Sequence, residues 1–239
     1  VLQYYGALNC FNFTTSGAES SIIQAAKGSR ISNYLGYVEN YQGRVLQANP
    51  NGMPMTFLTN HDMDRIAGTF VTDNYMRMAA ALYLLAPGSP MIYYGEEIGL
   101  RGSRGSAMTD ANRRLAMLWG DDDTIKNPTG STYKDKNQIN GTVATHIVDE
   151  QSLYNHYKKL IMIRKAYPEI ARGEYISLPN PLIAVTIESA YSRLIPYFSH
   201  SSSEILSSSA FSFVAHGRGE QDRCFRQASC AGFHSSEHL

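Results

Sequence analysis

Along residues 8–14 the phenyl groups of Phe11 and Phe13 alternate with Asn12, which predicts a short strand. From Ile31 the period changes. Ile31, Tyr34, Leu35, Val38, Tyr41 and Val45 fall at helical spacing, and the breaker Pro50-Asn51-Gly52 lies just beyond them. Residues 53–59 form an apolar run too short for a helix that stops abruptly at Asn60-His61-Asp62, the pattern of a buried parallel strand. Asp73 can cap a helix running through Met76, Ala79, Ala80, Leu82, Tyr83 and Leu84 and stopping at Pro87-Gly88. Pro90-Met91-Ile92-Tyr93-Tyr94-Gly95 predicts a second buried strand. Residues 99–146 are polar and rich in Gly, Asp and Asn, as in a functional loop or a small subdomain. Leu153, Tyr157, Leu160 and Ile161 then restore helical spacing, and Pro168 closes it.

Strand, helix, strand, helix, strand, long loop and helix in that order describe βα units on a parallel sheet. Three such units do not close a barrel and would expose two sheet edges, so further units are expected upstream. After about residue 180 the character shifts. Residues 182–187 fit one strand, while Ser201-Ser202-Ser203 and Ser207-Ser208-Ser209 lie in a stretch with neither hairpin alternation nor a helical stripe. Such a composition predicts an irregular or disordered tail.

Charge narrows the partner. Lys+Arg and Asp+Glu balance at 21 each over 239 residues, which leaves no electrostatic footprint for nucleic acid or an anionic membrane. A neutral substrate is the simpler expectation. The 16 tyrosines suit both stacking on sugar rings and half-buried strands, the structural reading coming first. Cys10, Cys224 and Cys230 are too scattered for a disulfide framework or a zinc site. No apolar run approaches the roughly 20 residues that span a bilayer. The opening Val1-Leu2-Gln3-Tyr4-Tyr5 has neither an initiator Met nor a basic region, as expected either of a processed N-terminus or of a sequence that begins inside a gene, the second being favoured by the motifs below.

Asn60-His61-Asp62 carries the candidate chemistry. In a parallel α/β barrel the C-terminal end of a strand faces the active site, and an amide, an imidazole and a carboxylate there each need a partner. The residues alone leave a second reading open, in which Asp62 or Asp64 caps the next turn and His61 is a satisfied neighbour.

Four segments carry a resemblance to the α-amylase superfamily of glycoside hydrolases. Phe57-Leu58-Thr59-Asn60-His61-Asp62 resembles that family's last conserved region. Pro87-Gly88-Ser89-Pro90-Met91-Ile92-Tyr93-Tyr94-Gly95-Glu96-Glu97-Ile98-Gly99 is similar to its eighth barrel strand. Asp110-Ala111-Asn112-Arg113-Arg114-Leu115-Ala116-Met117-Leu118-Trp119 resembles the following Arg-x-Pro-Met-x-Trp segment, with Ala116 in place of Pro. Ser152-Leu153-Tyr154-Asn155-His156-Tyr157-Lys158-Lys159-Leu160-Ile161, with Arg164-Lys165-Ala166-Tyr167-Pro168, resembles its eighth helix.

The resemblance implies a partial TIM (β/α)8 barrel, strands six to eight with their helices, over residues 1–178; residues 179–239 carry no such resemblance and are expected to be a tail of uncertain structure, disordered or non-native. It implies that Asp62 is the third catalytic carboxylate, stabilising an oxocarbenium-like transition state, and that His61 and Asn60 bind the same sugar. The nucleophile and general acid, roughly 5 Å apart in a retaining glycosidase, belong on the fourth and fifth strands and are expected upstream of Val1. The chain by itself is then expected to be inactive. Glu96 and Glu97 match a structural pair, and Arg65 and Arg114 are expected to pair with carboxylates. The implied substrate is an α-glucan or a maltooligosaccharide, cut at α-1,4 or α-1,6 linkages with retention. A non-catalytic accessory barrel of the same superfamily is the alternative, disfavoured by the presence of both His61 and Asp62. An unrelated barrel lyase gripping phosphate through Gly102-Ser103-Arg104-Gly105 is a third and weaker reading. No cofactor or metal site is assigned to this chain; calcium is frequent in the family, on ligands that lie mostly outside it. A secreted or cell-surface setting is favoured over a cytoplasmic one.

Overall fold

The computed structural model describes residues 9–13, 16–17, 20–70, 72–105, 110–121, 125–133, 141–177, 183–188, 192–198, 211–217 and 227–228. The serine triplets, Cys224, Cys230 and residues 1–8 lie outside the described residues.

Two short strands, β1 (Asn9–Phe11) and β2 (Met53–Met55), run parallel with Asn9 opposite Met53 and Phe11 opposite Met55. Asn12 N–H donates to Met55 O at 2.9 Å and extends the ladder. Parallel neighbours need a crossover, supplied here by α1 (Ser21–Ala26) and α2 (Ile31–Ala48). The alternation in β1 is present but inverted in burial: Asn12 is buried, whereas Phe11 and Phe13 are 48% and 59% exposed.

On the other side of β2, Ser89 N–H donates to Pro54 O at 2.7 Å and Met91 N–H to Thr56 O at 2.8 Å. A two-residue step with parallel direction places the segment around residues 89–91 as the next strand-like element. It is not the fully buried strand that its apolar run predicts. Residues 89–93 are half-buried and Tyr94 is exposed, because among the described residues no ladder forms on its other edge. Gly88 makes the approach possible: its φ is +99°, and a Cβ there would stand 2.0 Å from Pro54 O.

The crossover to that segment is α3 (Asp73–Leu84), whose N-cap is Thr72 rather than the expected Asp73. As the first helical residue, Asp73 places its carboxylate near the positive end of the helix dipole. α3 packs between α1 and α5 (Leu153–Ala166). Tyr34, Leu35, Met76, Tyr83, Tyr157 and Leu160 fill the shared core in the helical periods read from the sequence, together with Ile23 of α1, a helix that reading does not predict. The side chains of Tyr34 and Arg164 lock it. The Tyr34 hydroxyl donates to Leu82 O at 2.7 Å. Arg164 donates to Leu84 O and Ala86 O at 2.7 and 2.8 Å, and also to Gly88 O, satisfying carbonyls that the end of α3 leaves open.

The excursion before α5 holds two 3-10 turns, Glu96–Ile98 and Ala111–Arg113, and the short helix α4 (Val143–Val148). After α5 and α6 (Glu169–Arg172) comes an antiparallel sheet in the order β3 (Glu174–Ser177), β4 (Ile183–Glu188), β5 (Ser192–Phe198), β6 (Phe211–Gly217), β7 (Gln227–Ala228). One strand over 182–187 followed by an irregular tail is the expectation; the described backbone there is strand. Pro196 is a physical reason it was missed, since it sits mid-sheet opposite Phe213 where proline removes a ladder donor. Buried Gln42 of α2 holds the first strand in place, donating to Gly173 O at 2.8 Å and accepting from Tyr175 N–H at 2.9 Å. No described helix is long and apolar enough to cross a membrane.

Candidate active site

Residues 56–60, downstream of β2, are buried, and the chain then breaks to the surface within one residue. The Asn60 side chain makes the turn: its Oδ1 accepts from Asp62 N–H at 2.9 Å, and Asn60 O accepts from Met63 N–H at 3.2 Å. His61 and Asp62 leave that turn with their side chains 61% and 62% exposed, and His61 Nε2 lies 3.4 Å from Asp62 Oδ1. The structure therefore brings together all three candidate residues, with Asn60 shaping the backbone and the other two presented to solvent.

The capping alternative is not what the geometry shows. The 3-10 turn Ile66–Gly68 begins at Arg65 and receives no side-chain cap. Asp64 instead accepts from Arg104 N–H at 2.9 Å and from Arg113 Nε at 2.7 Å. That bond also answers the phosphate reading of residues 102–105, since the loop amide there serves a carboxylate. Gly102 is needed for another reason: a Cβ on it would lie 2.1 Å from Asn112 O.

The loop carrying Arg113 and Arg114 is bonded to the turn. Arg114 Nη2 reaches Asp62 Oδ1 at 3.1 Å and Asp110 Oδ2 at 3.4 Å, while its Nε donates to His61 O at 3.2 Å. Arg113 Nη1 donates to Asp62 O at 2.8 Å and to Asp110 Oδ1 at 2.7 Å. Arg114 thus meets the expectation of a carboxylate partner. Arg113 binds the carboxylates of Asp64 and Asp110 and the backbone of Asp62; of these only Asp110, three positions before it, offers a local hint in the sequence. Ala116, where the resembling segment has Pro, uses its N–H to bond Asn127 Oδ1 at 3.0 Å, a donor that proline lacks.

Arg65 departs from expectation. It is buried, and its Nε and Nη1 donate to Arg113 O at 3.0 Å and Tyr94 O at 2.7 Å. The guanidinium carbon stands 4.3 Å and 4.6 Å from the Tyr93 and Tyr94 ring centroids. Behind the strand end, buried Glu96 accepts from Thr59 N–H at 3.2 Å and from Thr59 Oγ1 at 2.7 Å. Burial pushes the Glu96 carboxyl up to about 8, against the pull of the Thr59 hydrogen bonds and of Arg65. Nothing in the local sequence shows this pairing, because its partners are far apart along the chain.

The fit to a cation is poor. Among the described residues no group of three or more His, Cys, Asp or Glu side chains is placed to hold a metal ion. Asp62, Asp64 and Asp110 are each answered by an arginine.

Comparison with known proteins places this geometry. Residues 5–173 match the family model described as alpha amylase, catalytic domain. Over 135 residues the chain is 36% identical to alpha-amylase SusG of Bacteroides thetaiotaomicron, covering 56% of this chain and 19% of that one. It is 32% identical over 179 residues to alpha-amylase 3 of Dictyoglomus thermophilum, covering 73% of this chain and 34% of the relative. The solved structure of Eubacterium rectale Amy13B superposes with a TM-score of 0.73 at 31% identity, over 82% of this chain and 40% of that one. The chain therefore spans about a third or less of these curated relatives. With the family model covering most of its length, the chain belongs to the alpha-amylase catalytic-domain family.

Proposed function

We propose that residues 1–178 are the last three βα units of a (β/α)8 barrel, from an enzyme that cleaves α-glucosidic bonds of starch-like polysaccharides or oligosaccharides with retention. Three observations support the architecture: β1, β2 and the segment near residue 91 lie in parallel order, helices cross between them, and the family match stops at residue 173. Residues 179–239 follow that unit, and β4 within them pairs with β3, continuing the sheet that begins at Glu174.

The observation that carries the function is the Asp62 carboxylate, held at a strand end by the Asn60 turn yet open to solvent. A carboxylate fixed in direction and free to meet a neutral sugar can hold ring hydroxyls and answer the positive charge that grows as the glycosidic bond breaks. His61 beside it supplies a donor to the same sugar. The bond-breaking pair, nucleophile and general acid, belongs to the two strands that precede the one formed by β1. On this reading the 239-residue chain binds but does not cut.

The test is an assay of the full-length enzyme on soluble starch, maltooligosaccharides and an α-1,6-linked disaccharide, with anomeric configuration followed by NMR. Release of sugar with retention, lost in Asp62→Asn, is the expected result. Saturable glucan binding without hydrolysis would replace this reading with that of an accessory barrel.

A further inference from the structure

Glu96 and Thr59 are 37 positions apart in sequence, yet both are buried and joined by two hydrogen bonds on one oxygen. The Tyr83 hydroxyl donates to the other oxygen at 3.4 Å. A buried carboxyl group is costly unless well partnered, and an apolar side chain of similar size would serve a core better. What this one holds is specific. Thr59 is the residue before Asn60, so fixing both its backbone N–H and its hydroxyl fixes the point from which the turn departs.

The far end of the turn is held from the same place. Arg65 Nη1 donates to Tyr94 O at 2.7 Å, two residues before Glu96. Residues 94–96 thus grip position 59 through a carboxyl group and position 65 through a guanidinium, with Asn60, His61 and Asp62 between. We infer that Glu96 is a positioning residue for Asp62, acting through Thr59 to set where the Asn60-His61-Asp62 turn leaves the strand. The inference rests on the role proposed for Asp62. Displacing a transition-state contact by a fraction of an ångström acts on kcat and leaves ground-state binding largely unchanged.

The test uses the full-length enzyme. Glu96→Leu is expected to lower kcat about 10²-fold with KM within about threefold. Glu96→Gln keeps Oε1 as the acceptor for Thr59 and is expected within about threefold of the parent. Thr59→Val, close in shape, removes only the hydroxyl donor and is expected to lower kcat about tenfold, with no further loss when combined with Glu96→Leu, since both remove one contact. Circular dichroism and active-site titration express kcat per folded enzyme. Parental kcat in folded Glu96→Leu, or additive losses in the double variant, overturns the inference. If Glu96→Leu does not fold, Thr59→Val decides, and parental kcat there overturns it equally. Asp62→Asn separates the two readings: full turnover in that variant removes the role of Asp62, whereas its collapse beside unaffected Thr59→Val and Glu96→Leu removes only that of Glu96.

Discussion

Arg114 Nη2 stands 3.1 Å from Asp62 Oδ1 while the same side chain donates through Nε to His61 O at 3.2 Å. One guanidinium therefore holds both the carboxylate and the backbone of the candidate site, across 52 positions of sequence. The pair is 46% and 62% exposed. Water screens it, so its purpose is to orient rather than to stabilise.

Asp62→Asn in the full-length enzyme is expected to lower kcat by several orders of magnitude with little change in thermal midpoint. The side chain contributes no core packing, and a contact made only in the transition state acts on rate. Steady-state kinetics beside calorimetry checks both halves. Near-parental turnover on maltooligosaccharides removes Asp62 from the mechanism.

Arg114→Met separates orientation from stability. An exposed ion pair contributes about 0.5 kcal/mol or less, so the thermal midpoint should barely move. Freed from its partner, Asp62 samples more directions, and kcat/KM is expected to fall about tenfold. A lowered midpoint with unchanged kinetics would make the contact structural.

The parts of this architecture that were legible in the sequence are those written in local periodicity. The stripe Tyr34, Leu35, Val38 and Val45 marks the buried face of α2, and the sudden end of an apolar run marks the turn at Asn60. Gln42 lies in that same stripe yet carries two bonds to Gly173 and Tyr175, more than 130 positions away. Glu96 to Thr59 and Arg113 to Asp64 are likewise decided by three-dimensional proximity, which spacing does not encode. In strands β5 and β6 local chemistry opposes the fold. Pro196 argues against a central strand, and Ser212-Phe213-Val214-Ala215-His216 offers only weak alternation. At residue 91 the apolar neighbours say that the segment can be covered, not whether it is, and it is half-buried.

Gly102→Ala is expected to destabilise the protein by about 2 kcal/mol or more, in the range of an overpacked core. The added Cβ would meet Asn112 O at 2.1 Å and Arg65 Cδ at 3.3 Å, forcing apart the two loops that carry Asp62 and Arg114. Gly68→Ala is the matched control, with nothing within 4 Å of its Cβ and no left-handed φ. It should be neutral or slightly stabilising. Urea denaturation of both reports the difference, and equal midpoints would mean that the Gly102 crossing yields freely.

Two buried groups set opposite pH dependences, and their windows separate them. Glu96 keeps its proton up to about 8 when folded, because burial disfavours the charge, and loses it near the usual 4.5 when unfolded. Between those values the folded state holds more protons, so stability is full below about 4.5 and declines as pH rises through 8. Glu97, also raised by burial, adds to the same slope. His156 runs the other way: burial, with Arg77 and Lys159 nearby, lowers it to about 4 against the usual 6.5. Its contribution is present above 6.5 and is lost as pH falls through 4, and His146 is lowered in the same direction. From pH 4.5 to 6.5 the slopes oppose, but from 6.5 to 8 Glu96 titrates in the folded state while the histidines are largely neutral in both states. The thermal midpoint is therefore expected to fall between pH 6.5 and 8 in the parent and to flatten there in Glu96→Gln, which cannot ionise. In His156→Gln the decline above 6.5 should persist while the loss of stability towards pH 4 becomes shallower. An unchanged decline between 6.5 and 8 in Glu96→Gln would show that Glu96 is ionised in the folded protein at neutral pH, with Thr59 and Arg65 outweighing its burial.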